Sequence, residues 1–177
     1  NAYALIQQGG GEVADLIASN TGSIIATADS YATSHGATPD YIYGGFYPYA
    51  TASAIAVRQY AEADANTIDL YNDGTITATA DANALADGTD TSAYAYASAN
   101  GVYQEANGST ADLTLENHGT IEAAAAAKVT NDYAYVAGVS ATAVGVEQVS
   151  RASGTLAVSN DGTISAEASI GAVGRAG

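Results

Sequence analysis

Apolar and polar residues alternate along this chain around four copies of one pattern, Asn-x-Gly-[Ser/Thr]-Ile-x-Ala-x-Ala. When the copies are aligned on the asparagine, the positions four and two before it are apolar in every copy, and the residues between them vary. Successive side chains of a strand point to opposite faces, so this alternation predicts half-buried β-strands. The glycine predicts a bend between two strands. The copies begin at Asn20, Asn72, Asn117 and Asn160.

A glutamine precedes each of these asparagines by 12 or 13 residues. Successive asparagines are separated by 52, 45 and 43 residues, so the repeating unit is larger than one pair of strands. Repeats of this length are typical of solenoids and propellers. The glutamines are Gln8, Gln59, Gln104 and Gln148.

Each aligned position, followed through the four copies, forms a column of residues. The inward-facing columns favour a solenoid over a propeller, because they contain Leu, Ile, Val and Ala instead of bulky aromatic residues. We therefore predict an all-β fold, a parallel β-solenoid of four repeats of about 44 residues that forms one domain over residues 1–177. Stacking at the ~4.8 Å strand spacing would turn each column into a ladder. The side-chain amides of the asparagines and glutamines then either form hydrogen-bonded ladders with one another or serve only as turn formers. The predicted aliphatic ladder is Ile24, Ile76, Ile121 and Ile164.

One segment carries a competing signal. Residues Glu122 to Lys128 enclose five consecutive alanines, which have high helix propensity. Propensity is weaker than a register repeated four times, so we predict a strand here as well.

The charge balance limits the partners. The chain has 19 acidic and four basic residues, a net charge of −15, and nucleic acid binding needs a basic surface. Carboxylates on the outer faces would keep flat sheets from associating sideways. We expect no cofactor; Ca²⁺ held between carboxylates of adjacent layers is the minor alternative. There is no cysteine, and no apolar run reaches the ~18 residues of a membrane-spanning helix.

An irregular tyrosine-rich insertion at residues 31–50 interrupts the pattern and contains both prolines and the only phenylalanine. It is interpreted as a loop folded on its own solenoid, as a contact for a neighbouring molecule, or as a stacking platform for sugars. The candidate ligand or partner contacts are Tyr41, Tyr43, Phe46, Tyr47 and Tyr49.

Catalysis has little support in the sequence, so we expect no enzyme. His118 occupies a turn position, and the other histidine, His35, lies in the irregular segment. Paired carboxylates could serve a glycosidase, but in so acidic a chain they are expected on any solvated face. The sequence therefore predicts no catalytic and no metal-binding residues.

The run Leu-x-Leu-x-Asn-x-Gly-Thr-Ile-x-Ala, preceded by Gly-Val-x-Gln, resembles the passenger repeats of bacterial autotransporters and haemagglutinin-like surface adhesins. It is best preserved at residues 113–123. The resemblance implies a right-handed parallel β-helix, secretion, and display at the bacterial cell surface or in the extracellular space. It also implies a role in adhesion or matrix formation.

We therefore expect a structural or adhesive element of a cell-surface fibre or filament. The chain has no methionine, which indicates a processed product or an excerpt, and its two ends would complete a repeat in phase. End-to-end self-association is the expected contact, and a host-surface or glycan receptor stays open. The alternative is a carbohydrate-binding or carbohydrate-cleaving module that uses the tyrosine-rich insertion.

Overall fold

The computed structural model describes residues 1–35, 47–87, 92–131 and 138–174. Within these residues the chain is all-β, as predicted. Each strand follows the alternation of apolar and polar positions described above. The strands are β1 (Ala2–Asn20), β2 (Ser23–His35), β3 (Tyr49–Asn72), β4 (Thr75–Asp87), β5 (Tyr94–Asn107), β6 (Thr110–Asn117), β7 (Thr120–Asn131), β8 (Gly138–Ser150), β9 (Ser153–Asn160) and β10 (Thr163–Gly174).

The strands form two parallel sheets, so the prediction of parallel strand pairing is confirmed. The first sheet has the order β8-β5-β3-β6-β9, with β1 also paired to β3, and the second has the order β10-β7-β4-β2. We group the strands by this pairing into four tiers. Tier 1 is β1 and β2, tier 2 is β3 and β4, tier 3 is β5 to β7, and tier 4 is β8 to β10.

Equivalent positions of the sequence pattern face each other in neighbouring tiers. Asn72 is in register with Asn20 on one side and with Asn117 on the other. The isoleucines after the turn pair in the same way through β2, β4, β7 and β10. The repeated local pattern therefore sets the pairing register, because a one-residue slip would turn every apolar side chain outward.

The alanine run lies in β7, and the prediction of a strand at Glu122 to Lys128 is confirmed. Ala123, Ala125 and Ala127 are buried, and β7 pairs with β4 on one side and β10 on the other. Two sheet neighbours and a buried face outweigh the helix propensity of the isolated segment.

The first sheet bends across its strands. In tier 2 the bend lies near Ala63, where Ala61 before it and Ile68 after it belong to one small core cluster. The main core lies between the two sheets and includes Val57, Leu70 and Ile76. The bend and the turn divide each tier into three arms. The first arm ends at the bend, the second arm lies between the bend and the turn asparagine, and the third arm is the second-sheet strand.

The strands extend into the predicted irregular segment from both sides. β2 continues to His35, and β3 begins at Tyr49. Small inward residues such as Ser34 and Ala50 continue the alternation there and are buried. The irregular part is therefore narrower than residues 31–50, and residues 36–46 lie outside the described residues. In the part of the chain that the structure describes, no helix is long and apolar enough to cross a membrane.

Candidate functional site

The turn asparagines form a continuous hydrogen-bonded ladder. The Nδ2 of Asn20 donates to the Oδ1 of Asn72 at 2.7 Å, Asn72 donates likewise to Asn117 at 2.7 Å, and Asn117 donates to Asn160 at 2.6 Å. Each donor thus points toward the next tier. The same Nδ2 groups also reach backbone carbonyls; that of Asn72, for example, donates to Thr120 O at 3.3 Å. These asparagines therefore combine laddering with a turn role.

The glutamine ladder runs in the opposite direction. The Nε2 of Gln59 donates to the Oε1 of Gln7 at 2.8 Å, Gln104 donates to Gln59 at 2.8 Å, and Gln148 donates to Gln104 at 2.7 Å. Each donor here points toward the preceding tier. Gln59 and Gln104 are fully buried, so the ladder satisfies amide groups that water cannot reach.

The prediction for Gln8 was wrong by one residue. Gln8 is exposed and lies opposite Tyr60, whereas Gln7 lies opposite Gln59. Gln7 is 13 residues before Asn20, the spacing that Gln59 and Gln104 also have. In tier 4 the spacing is one residue shorter, because three residues separate Ala106 from Thr110 in tier 3 whereas two separate their register partners Ser150 and Ser153.

The glutamines also hold the two arms of the bent sheet together. Gln7 Nε2 donates to Ile17 O at 3.0 Å, and Gln59 Nε2 donates to Asp69 O at 3.1 Å. The equivalent bond in tier 3 joins Gln104 to Thr114 O at 3.3 Å. Each bond crosses from the arm before the bend to the arm after it, so one side chain per tier fixes the bend.

The turn glycines stack so closely that no side chain fits between tiers. A Cβ at Gly74 would lie 2.1 Å from Gly22 O, and one at Gly119 would lie 2.0 Å from Gly74 O. Gly162 has the same relation to Gly119. A Cβ at Gly22, by contrast, would meet nothing within 4 Å. The glycine is required by close backbone approach, since its φ is not left-handed in any of the four turns.

Tier 4 differs from the inner tiers in exposure. Leu113 and Leu115 of tier 3 are fully buried, whereas their tier 4 counterparts Leu156 and Val158 are 49% and 48% exposed. Asn160 is exposed too, although Asn117 beneath it is fully buried. The face that tier 4 presents away from tier 3 therefore carries apolar side chains and an amide that tiers 2 and 3 enclose completely.

A tyrosine cluster lies on the outer face of the first sheet. The ring centroid of Tyr49 is 5.3 Å from that of Tyr96 and 6.3 Å from that of Tyr94. Tyr47 and Tyr49 are largely exposed, at 58% and 62%. The candidate contacts Tyr41, Tyr43 and Phe46 lie outside the described residues. The cluster thus combines Tyr49, one of the five predicted residues, with two tyrosines from β5.

A second polar patch surrounds Tyr103 on the same sheet. The Tyr103 hydroxyl donates to Glu105 Oε2 at 2.7 Å. Burial and this hydrogen bond, together with the nearby carboxylates Glu105 and Glu147, raise the pKa of Tyr103 from 10.0 to about 12. The pairing stabilises a neutral phenol at all ordinary pH values.

His118 lies in the tier 3 turn, and its Nδ1 is 3.5 Å from Asp161 Oδ2 in the tier 4 turn. Its ring also contacts Tyr71, with centroids 5.4 Å apart. These contacts are compatible with a structural role at the turn. Among the described residues, no cluster of three or more His, Asp or Glu side chains is arranged to hold a metal ion.

Sequence reasoning missed two groups of residues. Tyr94 and Tyr96 lie outside the irregular segment, and only the pairing of β3 with β5 brings them beside Tyr49. Asn66 is buried at the bend and donates to Ala63 O at 2.9 Å. It occurs in one tier only, since its partners in register are Ala14, Ala111 and Gly154, which carry no amide side chain. The repeat could not have revealed it.

Comparisons with protein-family models, with curated proteins and with solved structures find no match to this chain.

Proposed function

We propose that the chain is a parallel β-solenoid that serves as a structural or adhesive building block of an extracellular, cell-surface fibre. Such a fibre would form by end-to-end stacking or as part of a longer array. The observation that carries this proposal is the uncovered tier 4 face, where Leu156 and Val158 are half exposed although the same columns are fully enclosed in tier 3. Apolar surface of this kind favours a covering layer.

Three further features support a structural role. The amide ladders, the aliphatic columns and the stacked glycines all continue unchanged through the tiers. A repeated stack of this kind gives stability mainly through contacts between neighbouring layers. The proposal assigns no catalytic step and no cofactor. Surface display rests on the resemblance to autotransporter and adhesin passengers, and the net charge of −15 suits a fibre that must stay soluble along its sides.

Electron microscopy of the purified chain over a range of concentrations, combined with sedimentation velocity, tests the proposal. We expect short rods at low concentration and filaments with a regular axial repeat at high concentration. A chain that stays monomeric at every concentration would contradict self-assembly.

The tyrosine cluster favours a second candidate, a carbohydrate-binding module. Exposed aromatic faces at Tyr47 and Tyr49 could stack on sugar rings. Glycan-array binding of the chain and of Tyr49→Ala tests this function. Tyr71→Ala is the matched control, because Tyr71 is an exposed tyrosine of the same strand that packs on His118 instead of the cluster. Loss of glycan binding in Tyr49→Ala alone would support this candidate, whereas absence of binding by the parent chain would exclude the glycans tested.

A further inference from the structure

The two amide ladders end in complementary groups on the two outer faces of the stack. Donation along the asparagine ladder runs from tier 1 to tier 4, and among the described residues Asn160 Nδ2 has only Gly162 O of its own turn as partner. Donation along the glutamine ladder runs from tier 4 to tier 1. The tier 4 face therefore offers an asparagine donor and, at Gln148 Oε1, a glutamine acceptor. The tier 1 face offers the reverse pair, Asn20 Oδ1 and Gln7 Nε2.

Neither amide can be turned around to suit another partner. Gln7 Nε2 also donates to Ile17 O, and Gln148 Nε2 also donates to Ala157 O. Asn160 Nδ2 donates to a carbonyl as well. A reversed amide would place its oxygen against these backbone oxygens, so the backbone fixes the orientation of each ladder.

The outer faces consequently match in one polarity only. When tier 1 of a second copy is placed on tier 4 of the first, Asn160 Nδ2 meets Asn20 Oδ1, and Gln7 Nε2 meets Gln148 Oε1. Two tier 4 faces placed together would oppose donor to donor in one ladder and acceptor to acceptor in the other, and the same holds for two tier 1 faces. Unpaired amide groups in a buried contact are costly.

The backbone hydrogen bonds of the turns also run in one direction along the stack. Within the stack, the turn N–H groups of each tier donate to the carbonyls of the preceding tier; Gly162 N, for example, donates to Asn117 O at 3.1 Å, and Thr163 N donates to Gly119 O at 2.9 Å. In tier 1, Gly22 N instead donates to Asn20 Oδ1 of its own turn at 3.1 Å. Carried one tier further, the pattern pairs Gly22 N with Asn160 O of a preceding copy and Ser23 N with Gly162 O.

The contact places no two acidic residues directly opposite each other in the registers that can be followed, although the chain is strongly acidic. Inside the stack Asp29 lies directly opposite Asp81, a like-charge pair that is destabilising on a sheet. At the contact between copies, five register columns bring an acidic residue of one copy to the other copy, and in each of them the residue opposite is neutral. The pairs, tier 4 residue first, are Glu147 with Ile6, Thr155 with Asp15, Asp161 with Thr21, Glu167 with Thr27 and Ser169 with Asp29.

We propose that the tier 4 face of one copy binds the tier 1 face of a second copy in register, through both amide ladders and the turn backbone, to give a polar filament. This inference rests on the proposed structural function and names its contact surface. The occupant of the uncovered face is the opposite end of the same chain, because that end carries the matching donors, acceptors and apolar columns.

Cysteine cross-linking tests both register and polarity. The chain has no cysteine of its own. Ser19 and Ser159 are exposed and belong to one register column. Three strand spacings separate them within a copy, about 14 Å, whereas across the proposed contact they would be about 4.8 Å apart. A disulfide forms only at the shorter separation. Under mild oxidation, the double variant Ser19→Cys/Ser159→Cys should form covalent chains of many copies.

The two single variants are the polarity controls. Ser19→Cys alone and Ser159→Cys alone should each stay uncross-linked, because the proposed contact never brings like ends together. Efficient dimers from either single variant would overturn the polarity. A double variant that stays monomeric under oxidation while electron microscopy shows filaments would overturn the contact surface but leave the fibre function standing. A chain that never associates would overturn the contact and the end-to-end form of the proposed fibre.

Gly22→Ala gives an independent test that spares the fold. Its Cβ meets nothing in the isolated copy, but by the stacking relation of the other turns it would meet Gly162 O of a preceding copy. We expect no loss of thermal stability at low concentration and at least about a tenfold rise in the concentration needed for filaments. Glu122→Gln, an exposed position of tier 3, is the control and should assemble normally. Filament formation by Gly22→Ala at the parent concentration would overturn the proposed contact.

Discussion

At the scale of single residues, the turn glycines show that one chemical position has different requirements in different tiers. A methyl group at Gly119 would overlap Gly74 O at 2.0 Å, whereas one at Gly22 has open space. Both residues have backbone angles that alanine adopts. The difference between them is therefore close packing alone, not conformational freedom.

This comparison gives a paired stability prediction. Gly119→Ala should lower the free energy of unfolding by about 1–3 kcal/mol, because backbone must move to admit the methyl group. Gly22→Ala should leave it unchanged or raise it by about 0.4–1 kcal/mol through the unfolded chain. Denaturant unfolding of both variants at low protein concentration measures the difference. Equal destabilisation of the two variants would contradict the close stacking of the turn glycines.

Tyr103 gives a prediction for alkaline pH. Its pKa is raised to about 12 in the folded chain, mainly by burial and then by the hydrogen bond to Glu105. The unfolded chain therefore loses this proton at lower pH than the folded chain. The stability that Tyr103 contributes should be fully present below pH 10.0 and be lost as the pH rises toward about 12.

Tyr103→Phe is the matched variant, since it keeps the ring and removes the titrating hydroxyl. A difference titration of tyrosinate absorbance between parent and variant should show one proton released near pH 12. Release of that proton at the ordinary tyrosine pKa would contradict the assigned environment.

At the scale of strands, the amide ladders connect elements that are far apart in sequence. Asn117 bonds to Asn72 and to Asn160 and is fully buried. It thereby ties the turn after β6 to the turns before and after it in the stack. Asn160 makes the same contact on one side only and is exposed.

Asn117→Ala should therefore lower the free energy of unfolding by about 1–3 kcal/mol, because it leaves buried polar partners without a bond. Asn160→Ala should cost well under half as much, since water can replace the lost bond. Thermal unfolding of both variants under non-assembling conditions measures the two effects. A larger loss in Asn160→Ala would contradict the burial gradient along the ladder.

At the scale of the whole molecule, stability is distributed unevenly among the tiers. Tiers 2 and 3 have a strand neighbour on both sides and contain the fully buried columns, whereas tiers 1 and 4 have one neighbour each. Local opening follows the number of buried contacts and paired backbone groups.

Hydrogen exchange should reveal this gradient. We expect the slowest amide exchange in β3, β4 and β7 and faster exchange in β9 and β10. On assembly, β1, β2, β9 and β10 should gain protection while the inner strands change little. Mass spectrometry of dilute and assembled samples measures both patterns. Uniform protection of all four tiers in the dilute state would show that the outer faces are already covered.

The sequence predicted the strands, the turns and the inward-facing columns. It also predicted that the alanine run forms a strand. Alternation and the turn glycine act locally, and their fourfold recurrence outweighs the helix propensity of residues 122–128. The sequence also indicated which asparagines and isoleucines share a column, since a repeated pattern keeps its register when layers stack.

Only the tertiary structure decided the features that depend on how arms and tiers meet. It selected Gln7 instead of Gln8, because the glutamine must reach both its neighbour in the next tier and Ile17 O across the bend. It brought Tyr94 and Tyr96 beside Tyr49. It also set the opposite directions of the two ladders, because the bend and the turn place the backbone carbonyls that orient each amide.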